Sequence, residues 1–232
     1  MLSITAILLL SAAPTALAQE SGSVEGVCRA DAGGEAVAGA SVTLRRGNAG
    51  RDQASRFVTG EDGRFRFGSL AAGSYEFGCE KAGFIRFQQW VDVASGPAKV
   101  DARMLRGGVL SGRVILTGGE AAAGIPVEVC KRGGRPRYIA YTGPEGEFRF
   151  DTLPPARYLI SAGGRGASLR KEKAYRMPAA PAAEGIDMGW APAFYPGVFS
   201  SSEAEPVLLR PGAMMEGLQL RLLSVPVYTI RG

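Results

Sequence analysis

The chain reads as an all-β protein, two tandem β-sandwiches of about seven strands each after a signal peptide. Three observations carry that reading. Thr59–Phe77, TGEDGRFRFGSLAAGSYEF, and Thr142–Ile160, TGPEGEFRFDTLPPARYLI, align without a gap at a spacing of 83 residues. The chain's 33 Gly and 14 Pro cut it into short runs, with no long stretches rich in Ala, Leu, Glu and Lys. Within the runs apolar residues recur at every second position, the period of a strand with one buried face.

The first element is the leader. Residues 1–18, MLSITAILLLSAAPTALA, have an apolar centre from Ile4 to Leu10 and end in Ala16, Leu17 and Ala18. An apolar core followed by an A-x-A site predicts cleavage before Gln19, although the α-amino group is the only positive charge ahead of it. The apolar run falls short of the ~20 residues a spanning helix needs. No later segment reaches that length, so the mature chain is expected to carry no membrane span and to be soluble.

The first sandwich is expected over residues 22–105. SVEGVCRA puts Val24, Gly26 and Cys28 on one face, and ASVTLRR turns Val42 and Leu44 inward. A Gly-Glu-Asp-Gly turn follows Phe57, and Phe65 and Phe67 then share a face. GSYEFGC aligns Tyr75, Phe77 and Cys79; FIRFQQWVDV and AKVDARML complete the set. The second sandwich, over residues 107–223, repeats the order: VLSGRVIL with Gly112 in the place of Gly26, AGIPVEVCKR, YTGPEGEFRF, ARYLISA and the closing strand GLQLRLL. Gly63 and Gly146 stand where a tight turn needs positive φ, which glycine adopts cheaply. Pro154 and Pro155 mark a loop, because proline cannot sit in a central strand. An aromatic and Pro-rich insertion spans residues 163–211. VPVYTIRG, residues 225–232, alternates like the start of each earlier copy and reads as the first strand of a truncated third repeat.

Chemistry is sparse. The net charge of +5 comes from Arg scattered along strands, not from a basic stripe interleaved with aromatics, so no nucleic-acid partner is expected. The absence of His removes His-built zinc sites, Ser–His–Asp triads and Cys–His pairs. SLRK at Ser168–Lys171 has the S-x-x-K spacing without its companion motifs. Glu61, Asp62 and Glu145 supply too few oxygens for calcium, which takes six to eight. No catalytic residue, cofactor or metal is therefore expected.

Two groups of side chains remain. Cys28 and Cys79 both point inward by alternation, while their counterparts in the second copy are Val114 and Ala162. A disulfide is allowed after export, and two buried free thiols are the other reading. Cys130 aligns with Arg45, an outward position, and is expected to be unpaired. In the insertion, Trp190, Phe194 and Tyr195 stand among Pro192, Pro196 and Gly197. Proline-stiffened aromatics form a sugar or peptide platform at low entropic cost, or else pack back over the sandwich edge.

The order G-x-V, G-A-x-V-x-L, T-G-x-x-G-x-F-x-F-x-x-L-x-x-G-x-Y resembles the carboxypeptidase regulatory-like domain. Gly39, Ala40, Gly63, Phe65, Leu70, Gly73 and Tyr75 carry the match in the first copy. In the second copy Ala156 and Arg157 replace the Gly before Tyr158. The resemblance implies an Ig-like or transthyretin-like sandwich, related to carbohydrate-binding-like folds. It also implies a non-catalytic module of the kind that accompanies peptidases, outer-membrane receptors and surface proteins. The expected function is that of an exported, non-enzymatic repeat protein of the cell envelope, periplasmic, cell-surface or extracellular. It would act in binding, adhesion or spacing, with a polysaccharide or an envelope protein as partner. The alternative is an N-terminal extension of a larger outer-membrane receptor or surface protein whose function lies in a missing C-terminal part.

Overall fold

The computed structural model describes residues 21–47, 53–163 and 188–226. Residues 1–20, which include the expected signal peptide, residues 48–52, Ser168–Lys171 with the rest of 164–187, and residues 227–232 lie outside the described residues.

The first sandwich comprises β1 (Gly22–Ala30), β2 (Ser41–Arg46), β3 (Ser55–Val58), β4 (Arg64–Leu70), β5 (Gly73–Glu80), β6 (Phe87–Val93) and β7 (Pro97–Met104). One sheet has the order β4-β1-β7 and the facing sheet β3-β2-β5-β6. β1 and β7 run parallel, and the other pairs are antiparallel. Alternation buries Val24, Cys28, Val42, Leu44, Phe65, Phe67, Phe77 and Val100 between the sheets. The rings of Phe65 and Phe77, from facing sheets, lie 4.9 Å apart.

The second sandwich repeats this plan with β8 (Gly108–Leu116), β9 (Pro126–Lys131), β10 (Arg137–Tyr141), β11 (Glu147–Leu153), β12 (Ala156–Ala162) and β16 (Met214–Leu222). β8 pairs with β16 in parallel, as β1 does with β7. The hydrogen bonds superpose as well. Cys28 donates to Gly63 and accepts from Val37, both at 2.9 Å; Val114 donates to Gly146 at 2.8 Å and accepts from Ala122 at 3.0 Å. Gly63 and Gly146 have φ of 68° and 75°. A Cβ at either would fall within 2.5 Å of the carbonyl oxygen of Cys28 or Val114. Glycine is required there for its backbone and for its size.

The insertion departs from its simplest reading. It contributes β13 (Met188–Trp190), β14 (Ala193–Phe194) and β15 (Val207–Leu209). β14 and β15 both pair with β12, one near each end. In the first sandwich the single strand β6 fills that edge. The segment that looks like an addition to the fold therefore supplies part of its sheet. β17 (Ser224–Pro226) pairs with β13, Gly189 standing opposite Val225. The start of the segment read as a third repeat is thus paired inside the second unit's insertion.

Leu105–Gly107 join the units and are bonded on both sides. Leu105 accepts from Ile85 at 2.8 Å, and Gly107 donates to Gly83 at 2.9 Å. The Arg106 guanidinium lies 4.8 Å from the centre of the Phe84 ring, and its carbonyl accepts from Gly212 at 3.1 Å.

Each copy ties a tyrosine back to the preceding loop: Tyr75 Oη donates to Ala71 O at 2.9 Å, and Tyr158 Oη to Pro154 O at 2.7 Å. Burial pushes the Tyr158 phenol up to about 12, with Tyr138 adding charge repulsion and a hydrogen bond. The folded state thus holds its proton more tightly than the unfolded chain, whose phenol titrates near 10. Stability is therefore kept below pH ~10 and lost as the pH rises towards ~12, because ionising the buried phenol disfavours the folded state. Urea melts are expected to show the second sandwich weakening steeply across that window. Tyr158→Phe should flatten the dependence; an unchanged slope would assign the alkaline loss elsewhere.

Candidate functional site

The outer face of the β3-β2-β5-β6 sheet carries an organised polar groove of about 500 Å³, lined in part by Thr43, Arg45, Glu76, Gly78, Arg86 and Gln88. Pairing explains the hollow. Thr43 and Gln88 stand opposite Gly78 on its two sides, and Gly78 has no side chain to fill the middle. A Cβ there would approach Thr43 Oγ1 to 2.8 Å. One row along, Arg45, Glu76 and Trp90 are cross-strand neighbours. Arg45 grips Glu76 Oε2 through Nε at 3.1 Å and also through Nη2. In one orientation of the Gln88 amide its nitrogen donates to Glu76 Oε1 at 3.3 Å; in the other its oxygen accepts from Arg86 Nη2 at 3.1 Å. Arg86 also pairs with Glu80 at 2.8 Å. The Arg45 and Glu76 side chains are only 28% and 27% exposed, so their planes are held by packing. Trp90 borders this network and is 60% exposed, its ring edge lying over Gly47.

Sequence reasoning did not single out Trp90, but its signal was present. In FQQWVDV, Val91 and Val93 are buried and Gln88, Trp90 and Asp92 are exposed. A tryptophan in phase with Gln and Asp stands on the wet face of its strand.

The equivalent face of the second sandwich holds a groove of about 360 Å³ lined in part by Glu128, Cys130, Ile139, Leu159, Ser161 and Phe194. Phe194 stands opposite Ser161, as Gln88 stands opposite Gly78. The three aromatics, read either as a platform or as packing over the sandwich edge, have different settings. Phe194 lines this groove, whereas Trp190 and Tyr195 are half-buried against the second core.

The cysteines also occupy defined places. Cys28 on β1 and Cys79 on β5 are fully buried free thiols on facing sheets in one core, and Cys79 Sγ donates to Met104 Sδ at 3.3 Å. Ala162 stands opposite Val127 as Cys79 stands opposite Val42, which fixes the equivalence of Cys79 with Ala162. Cys130 is free and partly exposed at the groove of the second sandwich. Glu145 pairs with Arg113 at 2.8 Å and Asp62 with Arg64 at 3.7 Å, and no metal-binding cluster occurs among the described residues. No helix among them is long and apolar enough to cross a membrane.

Residues 23–105 match the carboxypeptidase regulatory-like domain family. The match covers the first sandwich almost from end to end. Its polar groove and Trp90 fall inside the matched residues. Among solved structures, the minor pilin GBS52 of Streptococcus agalactiae has 14% identity and a TM-score of 0.44, the match covering 92% of this chain and 99% of that one. A streptococcal ancillary pilin has 15% identity and a TM-score of 0.36, with coverage of 62% and 53%. The Bacillus anthracis TIE protein has 14% identity and a TM-score of 0.34, with coverage of 89% and 34%. The chain therefore spans about a third of the TIE protein and about half of the ancillary pilin. Likenesses this distant bear on neither ligand nor role. No curated protein matches the chain.

Proposed function

We propose that the chain is an exported, non-catalytic binding module of the cell envelope, and that the groove beside Trp90 takes a polysaccharide. The groove carries this reading. A pyranose ring has C–H faces that stack on an exposed indole, and neighbouring hydroxyls that suit planar carboxylate, guanidinium and amide groups. Trp90 offers the first, and Glu76, Arg45 and Gln88 the second. Their mutual hydrogen bonds hold them before ligand arrives, which lowers the entropic cost of binding. A role in adhesion or spacing is supported by Leu105–Gly107, whose bonds to both units leave no free linker between them.

Trp90 emission should shift when soluble glucans, chito-oligosaccharides or peptidoglycan fragments are titrated into a Trp190→Phe background. Trp90→Ala should weaken binding at least about tenfold, the effect of losing roughly 1.4 kcal/mol, without moving the thermal melt. A panel with no response, or full binding by Trp90→Ala, overturns the groove as the site.

A further inference from the structure

Cys28 and Cys79 are more than two buried small residues. They come from strands of different sheets, so a bond between them ties one layer of the first sandwich to the other. Both are 0% exposed and belong to the one core cluster between the two sheets, where Cys79 Sγ donates to Met104 Sδ at 3.3 Å. The duplicated unit provides an internal comparison. It fills the same two places with Val114 and Ala162, so the core plan does not itself demand cysteine. The pair is present together in one copy and absent together in the other.

We infer that Cys28 and Cys79 form a disulfide that staples the two sheets of the first sandwich. A dithiol–disulfide oxidant would close it while the chain folds. In the cell this rests on the export reading above, because such bonds persist in oxidising compartments. The step balances as thiol–disulfide exchange. One of the two cysteines, as thiolate, attacks one sulfur of the oxidant's disulfide, forming a mixed disulfide and expelling the first thiolate. The other cysteine then gives up its proton, and its sulfur attacks the first cysteine's Sγ and expels the second thiolate. The two protein thiols are oxidised, and the oxidant leaves as two thiols carrying both protons. Because the finished core excludes solvent from both sulfurs, the exchange belongs to folding, and the closed sandwich then shields the bond from reductant.

The test refolds the full chain lacking its leader from urea in a buffer of oxidised and reduced glutathione. The expected product is about 2 Da lighter than the reduced chain. Peptide mapping should join Cys28 to Cys79 and leave Cys130 open to alkylation. Reduction in urea with dithiothreitol, followed by refolding with the reductant kept, should lower the melting temperature of the first sandwich by on the order of 10 °C, since the bond closes a loop of about 50 residues. The Cys28→Val, Cys79→Ala double variant, carrying the residues of the second copy, should melt alike with and without reductant. Should that variant not fold, the mass and the paired melts of the parent chain still decide. Three alkylatable cysteines after refolding, or a bond that includes Cys130, overturns the proposal. Cell fractionation reads export separately. A bond formed in glutathione buffer by a chain that stays in the cytoplasm supports the chemistry and sinks the export reading. An exported chain with three free thiols does the reverse.

Discussion

Gly26→Ala is expected to unfold the first sandwich and leave the second standing, and Gly112→Ala to do the opposite. Both glycines sit on the central strand of a three-stranded sheet, in inward phase. The closing strand runs so near that a Cβ at Gly26 would lie 1.8 Å from Val100 O and 2.9 Å from the Phe65 ring. At Gly112 it would lie 2.0 Å from Leu218 O. The two carbonyl oxygens are backbone atoms of the partner strand and cannot rotate away. The strand must move out, losing ladder hydrogen bonds and opening the core beneath it. The cost should reach about 4–5 kcal/mol, a large share of the stability of a domain this size. The damage should stay local because each core closes within its own segment, from Val24 to Met104 in one and from Leu110 to Leu222 in the other. The two tryptophans report separately, Trp90 from the first sandwich and Trp190 from the second. In urea, Gly26→Ala should abolish the cooperative transition of Trp90 while that of Trp190 persists. Loss of both transitions together would mean the units share one cooperative fold. Loss of neither would mean the sheet absorbs the methyl.

The duplication explains why so much of the fold was legible. A single run such as SVEGVCRA leaves strand assignment ambiguous, but its partner VLSGRVIL repeats the apolar phase and the glycine. Inward Cys28, the turn glycines and the closing strands all follow from that doubled alternation. Where the copies diverge, legibility fails. β14 has two residues and β15 three, too short to display a period of two. They hold to β12 only because that strand's open edge has backbone groups to pair. Ser69 and Thr152 were equally hidden. They stand at the same place in each copy with φ of 56° and 58°, beside the bulges of β4 and β11. Neither residue type favours that backbone; tertiary context imposes it. The groove was missed for another reason. Pro-rich aromatics drew attention to the insertion, whereas an isolated Trp among polar residues depends on Gly78, on another strand, to open the hollow next to it.

Thr59 and Thr142 open the repeated stretch, and nothing in their type announces why. Each is 3% exposed. Thr59 Oγ1 donates to Val37 O at 2.7 Å and accepts from Ala40 N–H at 2.8 Å. Thr142 Oγ1 donates to Ala122 O and accepts from Ile125 N–H at 2.8 Å. One hydroxyl thus satisfies a donor and an acceptor of the loop that leads into β2 or β9, where all four partner residues are buried. Valine matches threonine in shape and lacks the hydroxyl, so Thr142→Val leaves a backbone N–H and a C=O buried and unpaired. At roughly 1–3 kcal/mol for each orphaned group, the second sandwich should lose about 2–6 kcal/mol. Thr142→Ser keeps the oxygen and gives up one methyl, which should cost about 1 kcal/mol. The same ranking should hold at Thr59 for the first sandwich. Urea denaturation of the four variants reads it directly. If valine is tolerated as well as serine at both sites, the hydroxyl is not what joins the loop to the sandwich, and the recurrence of threonine needs another cause.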